Sequence, residues 1–326
     1  MKTSLRAWRA AMAVLGLCAL TATARAAWPD QPIRLVVGFP PGQATDLIAR
    51  LAARKLQDTL GQSVIVENKP GASGIIGSES VARAEPDGYT LVVGSSGTMA
   101  INPSLYSKLP YDPLKDFEPI TLLSVVPLFL AVNSNFPAQT AAELVGVVKA
   151  SPDKFNYGSA GSGVTSHLTM ELFKHAQGIE LMHIPYKGSP AAVTGLIAGQ
   201  TTMMMDTGPA LLPHMAAGKL RVLAVASRNR NAAAPDVPTM AEAGLGDFEA
   251  PAWIGLAAPK GTPRPVIDAI HQALQRGWKD AADVKEQLNK LGAEPTLMTP
   301  AEFADYIGEE IGKWAVAVKL SGAKVD

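Results

Sequence analysis

"IRLVVGFPPGQATDLIARLAARKLQDTLG", residues 33–61, changes its period part-way along. "IRLVVGF" is a continuous apolar, β-branched run, the pattern of a strand covered on both faces. From Thr45 or Asp46 onward the apolar residues recur at helical spacing, and Gly61 ends the pattern where a helix C-terminus favours a left-handed residue. A strand feeding through a tight loop into a helix is the repeating unit of α/β folds.

The unit recurs outward from this stretch. "SVIVEN" (63–68), "YTLVVGS" (89–95), "LFLAVN" (128–133), "LMHIPY" (181–186), "TTMMMD" (201–206) and "LRVLAVAS" (220–227) read as strands, with helices such as "AAELVGVVKAS" between them. Runs of this kind predict an α/β, doubly wound fold with parallel sheets. Two segments break the alternation. "FEPITLLSVVPLFLAVN" (117–133) is extended with a proline in its middle, and "DFEAPAWIGLAAPKGTP" (247–263) is its proline-rich counterpart before a helical tail. Read as crossings, they divide the chain into a discontinuous domain I, residues 27–123 with 251–326, and a domain II, residues 124–250. Two connecting strands make a hinge around a ligand cleft.

The N-terminus carries Lys2, Arg6 and Arg9, an apolar run over 10–20, and Ala24-Arg25-Ala26. This is the layout of a secretory signal peptide, residues 1–26, and places the product in the bacterial periplasm. The only cysteine, Cys18, falls within it, and Leu17 occupies the place where a lipidation motif needs a small residue. Disulfides, thiolate ligands and cysteine nucleophiles are thereby excluded from the mature chain. Lys+Arg and Asp+Glu both number 29, and no basic stripe appears, which argues against nucleic acid. No cofactor is expected, and a monomer is.

The loop of residues 39–46 sits at the carboxyl end of a strand, where open α/β sheets bind ligands. Pro40-Pro41 stiffens it, Gly42 admits close backbone approach, and the following helix offers free N–H groups to an anion. The plainer alternative is a turn with Asp46 as an N-cap. The arrangement recurs in "GSSGTMAINPS" (94–104), "NYGSAGSGVTSHL" (156–168) and "IPYKGSPAAV" (184–193). Loops rich in donors and poor in charge suit a small carboxylate.

Enzyme readings fit less well. No serine in the glycine loops has the G-x-S-x-G spacing, and "KPGASGIIG" lacks a following Gly-Lys-Ser/Thr. His167, Glu171 and His175 share one helical face and form a candidate metal stripe, although not H-E-x-x-H. Met203-Met204-Met205 could be soft ligands, but three in a row face both sides of a strand, as core residues do. Lys187 could form a Schiff base, with no carboxylate nearby in sequence.

The sequences "PIRLVVGFPPGQATDLIARLAARKLQDTLGQSVIVENKPGASGIIGSESVARAEPDGYTLVVGS", "NYGSAGSGVTSHLTMELFK" and "LMHIPYKGSPAAVTGLIAGQ" resemble the Bug family, also called TctC-like tripartite tricarboxylate receptors. The resemblance covers essentially the whole mature chain. It implies a non-catalytic periplasmic solute-binding protein whose two α/β domains close on a small carboxylated organic acid for delivery to a tripartite tricarboxylate membrane permease. It further implies that loop 39–46 (Phe39, Pro41, Gly42, Gln43, Thr45, Asp46) and loop 161–167 (Gly161, Ser162, Gly163, Thr165, Ser166, His167) grip one carboxylate. Ser95, Ser96, Gly97 and Thr98, with Tyr186, Lys187 and Gly188, would read the other end, and Asp206 would line the cleft. The family loop reads Pro-Pro-Gly-Gly, and Gln43 here replaces the second glycine. Two alternatives remain open at this point: a sensor that presents its bound form to a membrane signalling protein, and a hydrolase or metal enzyme using His167.

Overall fold

The strand runs and helical patterns of the sequence fold as eleven strands and ten helices in the computed structural model, which describes residues 28–278 and 280–323. The signal-peptide reading lies outside the described residues. In chain order the first lobe begins with β1 (Ile33–Val37), α1 (Ala44–Leu60), β2 (Val64–Asn68), α2 (Ile75–Ala82), β3 (Thr90–Ser95), α3 (Asn102–Leu105) and β4 (Phe117–Val126). The second lobe comprises β5 (Leu128–Asn133), α4 (Ala141–Ala150), β6 (Asn156–Ser159), α5 (Thr165–Gln177), β7 (Met182–Pro185), α6 (Ser189–Ile197), β8 (Met203–Thr207), α7 (Gly208–Ala216) and β9 (Leu220–Val225). The chain then returns through β10 (Ala252–Pro259), α8 (Arg264–Gly277), α9 (Ala282–Lys290), β11 (Glu294–Pro295) and α10 (Pro300–Ser321). Gly61 closes α1 at φ 70°, as its position in the sequence requires.

The strands form a six-stranded sheet, order β11-β4-β10-β3-β1-β2, and a five-stranded sheet, order β7-β6-β8-β5-β9. Here the parallel-sheet expectation needs correcting, because both sheets are mixed. β10 runs antiparallel to β3 and β4, and β5 antiparallel to β8 and β9. The reason is topological. β1 and β3 are parallel, and their carboxyl ends point toward the cleft. A strand arriving from the other lobe starts at that cleft edge, so it must run against them. β5 and β10 are the two arriving strands; β4 and β9 run toward the cleft and leave through it. β4 meets β5 across the single residue Pro127, the proline at the middle of the first crossing.

Packing follows the two-residue period of the strands. Leu128, Leu130 and Val132 of β5 face one core with Met203 and Met205, while Phe129, Ala131 and Met204 face the other. All three methionines are fully buried among apolar neighbours, so they are packing residues. The first lobe's core gathers Val36, Val92, Leu122, Trp253, Phe303 and Trp314, and Leu168 of the second lobe joins it. From Gln31 onward the chain is one compact unit.

Candidate functional site: a cleft ringed by helix N-termini

A cavity of about 290 Å³ opens at the carboxyl ends of the parallel strands of both sheets. The first lobe contributes Phe39, Gly42, Gln43, Ala44, Thr45, Ser73, Ser95, Ser96, Gly97, Asn102, Trp253 and Ile254 to its wall. The second contributes Ala160, Gly163, Val164, Thr165, Ser166, Ser189, Pro190, Asp206, Thr207, Pro209 and His214. The volume suits a small molecule. Among the described residues no Lys or Arg lines it.

Positive potential comes instead from backbone. The first turns of α1 (Ala44, Thr45), α5 (Thr165, Ser166), α6 (Ser189, Pro190) and α7 (Pro209, Ala210) all reach the cavity wall. None of the four carries a side-chain cap. Their first N–H groups therefore lack intrahelical partners and, with the helix dipoles, favour an anion. Of the other six helices, α4 and α10 are capped, and the uncapped α2 and α3 continue directly from preceding helical turns. Thr140 accepts from Glu143 N–H at α4, and Thr299 with Glu302 forms a full capping box at α10. The uncapped starts of α8 and α9 are exposed, where water serves their donors.

The first-lobe loop is held from behind by Asp46. Its Oδ2 accepts from Gly42 N–H at 2.9 Å and from Arg50 Nε at 3.0 Å. Its Oδ1 accepts from Asn68 Nδ2 at 3.0 Å, and Asn68 also donates to the Phe39 carbonyl. Burial works to raise the Asp46 pKa, but Arg50, Gly42 and Asn68 outweigh it and leave it lowered. Gly42 holds φ 84°, open to glycine at little steric cost. Gln43 takes the N-cap position, and its side chain reaches across the cleft. A methyl group placed on Gly188 of the second lobe would lie 3.8 Å from Gln43 Nε2.

The second-lobe loop rests on an aromatic stack. His167 lies against His183 with ring centroids 3.9 Å apart, and His183 against Tyr157 at 4.8 Å. His167 Nδ1 accepts from Gly163 N–H at 3.0 Å, which shapes the loop entering α5. Burial, then His183 and Lys174, push the His167 pKa down to about 3, so the ring stays neutral. Glu171 meets the Tyr157 hydroxyl and Lys174. Of the metal stripe of the sequence reading, His167 and Glu171 are thus engaged in packing and pairing, and His175 is exposed. Ser159 and His183 are 2.6 Å apart, but Ser159 is fully buried and also bonds both backbone groups of Gly161. That pair braces the loop and lies outside the cavity wall.

The lobes touch at the cavity rim. Ser96 Oγ lies 3.2 Å from Thr165 Oγ1, and a Cβ on Gly163 would fall 2.1 Å from Leu105 Cδ2. Asp206, at the end of β8, closes the second-lobe wall. Its Oδ1 accepts from Thr207 N–H at 2.7 Å and from the Thr207 hydroxyl at 3.4 Å, while its buried Oδ2 has no partner.

Residues 48–322 match the sequence model of the tripartite tricarboxylate transporter family receptor, TctC. The chain belongs to this receptor family. BugT of Bordetella pertussis is 38% identical to it over 320 residues, 96% of this chain and 98% of BugT. The R. palustris protein Rpa4515, solved with adipate, superposes at a TM-score of 0.85 with 34% identity, covering 91% of this chain and 100% of that one. MatC of Rhodopseudomonas palustris, with bound malate, superposes at 0.78 with 35% identity, covering 89% and 100%. The receptor is a two-lobed solute-binding protein, and both of these neighbours hold small carboxylic acids.

Of the residues singled out from sequence, the receptor brings Phe39, Gly42, Gln43, Thr45, Ser95, Ser96, Gly97, Gly163, Thr165, Ser166 and Asp206 to one cavity. The others lie outside its wall. Pro41, Ser162 and Lys187 are exposed, and Asp46 and His167 hold their loops from behind. Thr98 is turned into the core, where its hydroxyl accepts from Ser95 N–H and its carbonyl from the Tyr111 hydroxyl. Tyr186 reaches Gln200 instead, while the Gly161 carbonyl accepts from Ser159 and the Gly188 N–H donates to Ala160. Ser73, Asn102, Ser189, Thr207, His214 and Trp253 line the cavity and went unread. Ser-Pro at 189–190 and Gly-Pro at 208–209 are helix-start signals directly after strands and could have revealed two of the positions. Trp253 had no local signal. Its indole is fixed by Glu310, which also accepts from Trp314.

Proposed function

We propose that this receptor captures a small carboxylated organic acid in the cleft, and that the two lobes close around it for uptake by a tripartite tricarboxylate-type permease. The observation that carries this reading is the group of four uncapped helix N-termini around a cavity whose wall, among the described residues, has no lysine or arginine. Such a wall holds a carboxylate through backbone and hydroxyl donors and turns away cations. The adipate and malate of Rpa4515 and MatC support the same ligand class.

On this reading domain I comprises residues 27–123 with 251–326 and domain II residues 124–250, hinged at the two crossings. The α1 loop and the α5 loop take one carboxyl group, and Gln43 with the α6 and α7 starts meet the rest of the ligand. The protein acts as a monomer in the periplasm after losing residues 1–26, and it returns its ligand unchanged. A thermal-shift series against organic acids tests this. An acid at 100 times its Kd adds about 2.7 kcal/mol of stability, a shift of a few degrees for a chain of this size. Stabilisation by sugars or amides with none by any acid would refute the reading. Small-angle scattering tests closure, because the radius of gyration should fall at saturating ligand.

A further inference from the structure

The cavity does not end at the helix starts. On α6 its wall runs from Pro190 to Val193, and on α7 from Ala210 to His214. Residues three or four apart share one face of a helix, so each pair marks a stripe turned toward the cavity. The two helices pack on each other. Their stripes make an outer arm that extends about 6 Å along α7, four residues at 1.5 Å each. Pro190, Val193 and Ala210 line this arm with apolar surface, and the imidazole of His214 is the polar group at its far end.

His214 differs from the other histidines of the chain. His167 accepts from Gly163 N–H, His183 meets Ser159, and His271 faces the Ile120 carbonyl. His175 is exposed on α5, outside the cavity wall. His214 is half-buried in that wall, and among the described residues its ring has no hydrogen-bond or ion-pair partner. It keeps accessible surface, so a molecule in the cavity can touch it. An imidazole carries at least one N–H whether neutral or protonated, so a donor is present in either state. A donor partly withdrawn from water, unused by the protein and set at the end of an apolar arm suits an acceptor on a ligand.

Resting on the carboxylate reading of the cleft, we propose that His214 is a specificity-determining residue that measures the ligand's length. One carboxylate sits on the helix starts, the ligand's apolar body lies along Pro190, Val193 and Ala210, and the His214 N–H donates to an oxygen at the far end. The group recognised is an acceptor oxygen, such as a hydroxyl or a carbonyl, about one helical turn beyond the helix starts. An acid too short to reach the ring, or without an oxygen there, gains nothing from His214. The carboxylate grip is common to all acids, and the outer arm sorts among them.

Titration calorimetry on the full protein tests this with matched probes: 6-hydroxyhexanoate against hexanoate, 4-hydroxybenzoate against benzoate, and the long adipate against the short malate. Wild type, His214→Ala and His214→Gln are compared, with urea unfolding to confirm that each variant is folded. In wild type the hydroxylated member of a pair should bind about tenfold more tightly than its parent acid. His214→Ala should abolish that advantage and weaken adipate by a similar factor, while the parent acids and malate stay within about twofold. His214→Gln keeps an N–H donor on a long side chain and should restore part of the advantage. Equal weakening of long and short acids, or of both members of a pair, in His214→Ala overturns the proposal, because the residue would then act only on the shape of the cleft. An advantage that survives His214→Ala, or is absent from wild type, also overturns it and leaves the carboxylate reading standing. Wild type that binds none of the six acids contradicts the carboxylate reading itself, and the role of His214 falls with it.

Discussion

Asp46 and Asp206 stand in matching places, each at a junction between a cleft-facing strand and a helix, one in each lobe. Both are almost fully buried. Yet Asp46 receives a backbone N–H, an amide and a guanidinium, while Asp206 has donors on one oxygen only. The first is held below the usual carboxylate range and the second is pushed above it, chiefly by burial. Burial costs both residues; the partners decide which one keeps its charge. A saturated carboxylate keeps its charge and fixes the shape of a loop, and a half-satisfied one is driven toward its neutral form.

The comparison breaks first at Asp46. Asp46→Asn presents an amide nitrogen where a donor was received and removes the charge facing Arg50. A loss of about 2–4 kcal/mol in urea unfolding at neutral pH is expected. The linkage sign follows from the lowered pKa. Asp46 contributes stability that is present above about pH 4, its unfolded value, and is lost as pH falls through the folded one. The variant's deficit should therefore shrink in acid; a deficit independent of pH would mean the carboxylate is not what holds the loop.

Asp206 runs the other way. Its raised pKa means that its contribution is intact below about pH 4 and is lost as pH rises toward the folded value. Asp206→Asn should gain about 1–3 kcal/mol over wild type in the ligand-free protein near pH 7, and nothing at pH 4. A variant less stable at every pH would show that Asp206 is charged and paired after all.

The smallest expected effect is at Gln43, which reaches from the first lobe to Gly188 of the second. Gln43→Ala keeps a Cβ on the loop and should change stability by no more than about 0.5 kcal/mol. It should reorder the affinities of a series of acids, because the side chain occupies cleft volume and its amide can donate. A common factor across all acids would assign Gln43 to loop stiffness instead.

The α/β character and the strand positions were legible, because apolar runs and helical periods are local properties of the chain. Strand direction was not. "LFLAVN" reads the same in either direction, and only its arrival from the other lobe makes β5 antiparallel. The cleft loops were legible through their glycines and their place after strands. Their inner workings were less so, since one of the partners of Asp46, Asn68, lies 22 positions away. Lys187 and Tyr186 looked eligible beside a glycine, yet one points to solvent and the other reaches Gln200. Trp253 enters the wall only because the second crossing returns as β10 beside β3.

Calorimetric titration with adipate and its uncharged diamide, under identical conditions, tests the central claim most directly. Both have the same length and can make hydrogen bonds, but only the acid presents anionic oxygens to the uncapped starts of α1, α5, α6 and α7. Adipate should bind at least about 100-fold more tightly, because a hydrogen bond to a charged acceptor exceeds a neutral one by more than a kcal/mol and several act together. Equal affinity for the two, or preference for the diamide, would contradict a cleft built for carboxylates.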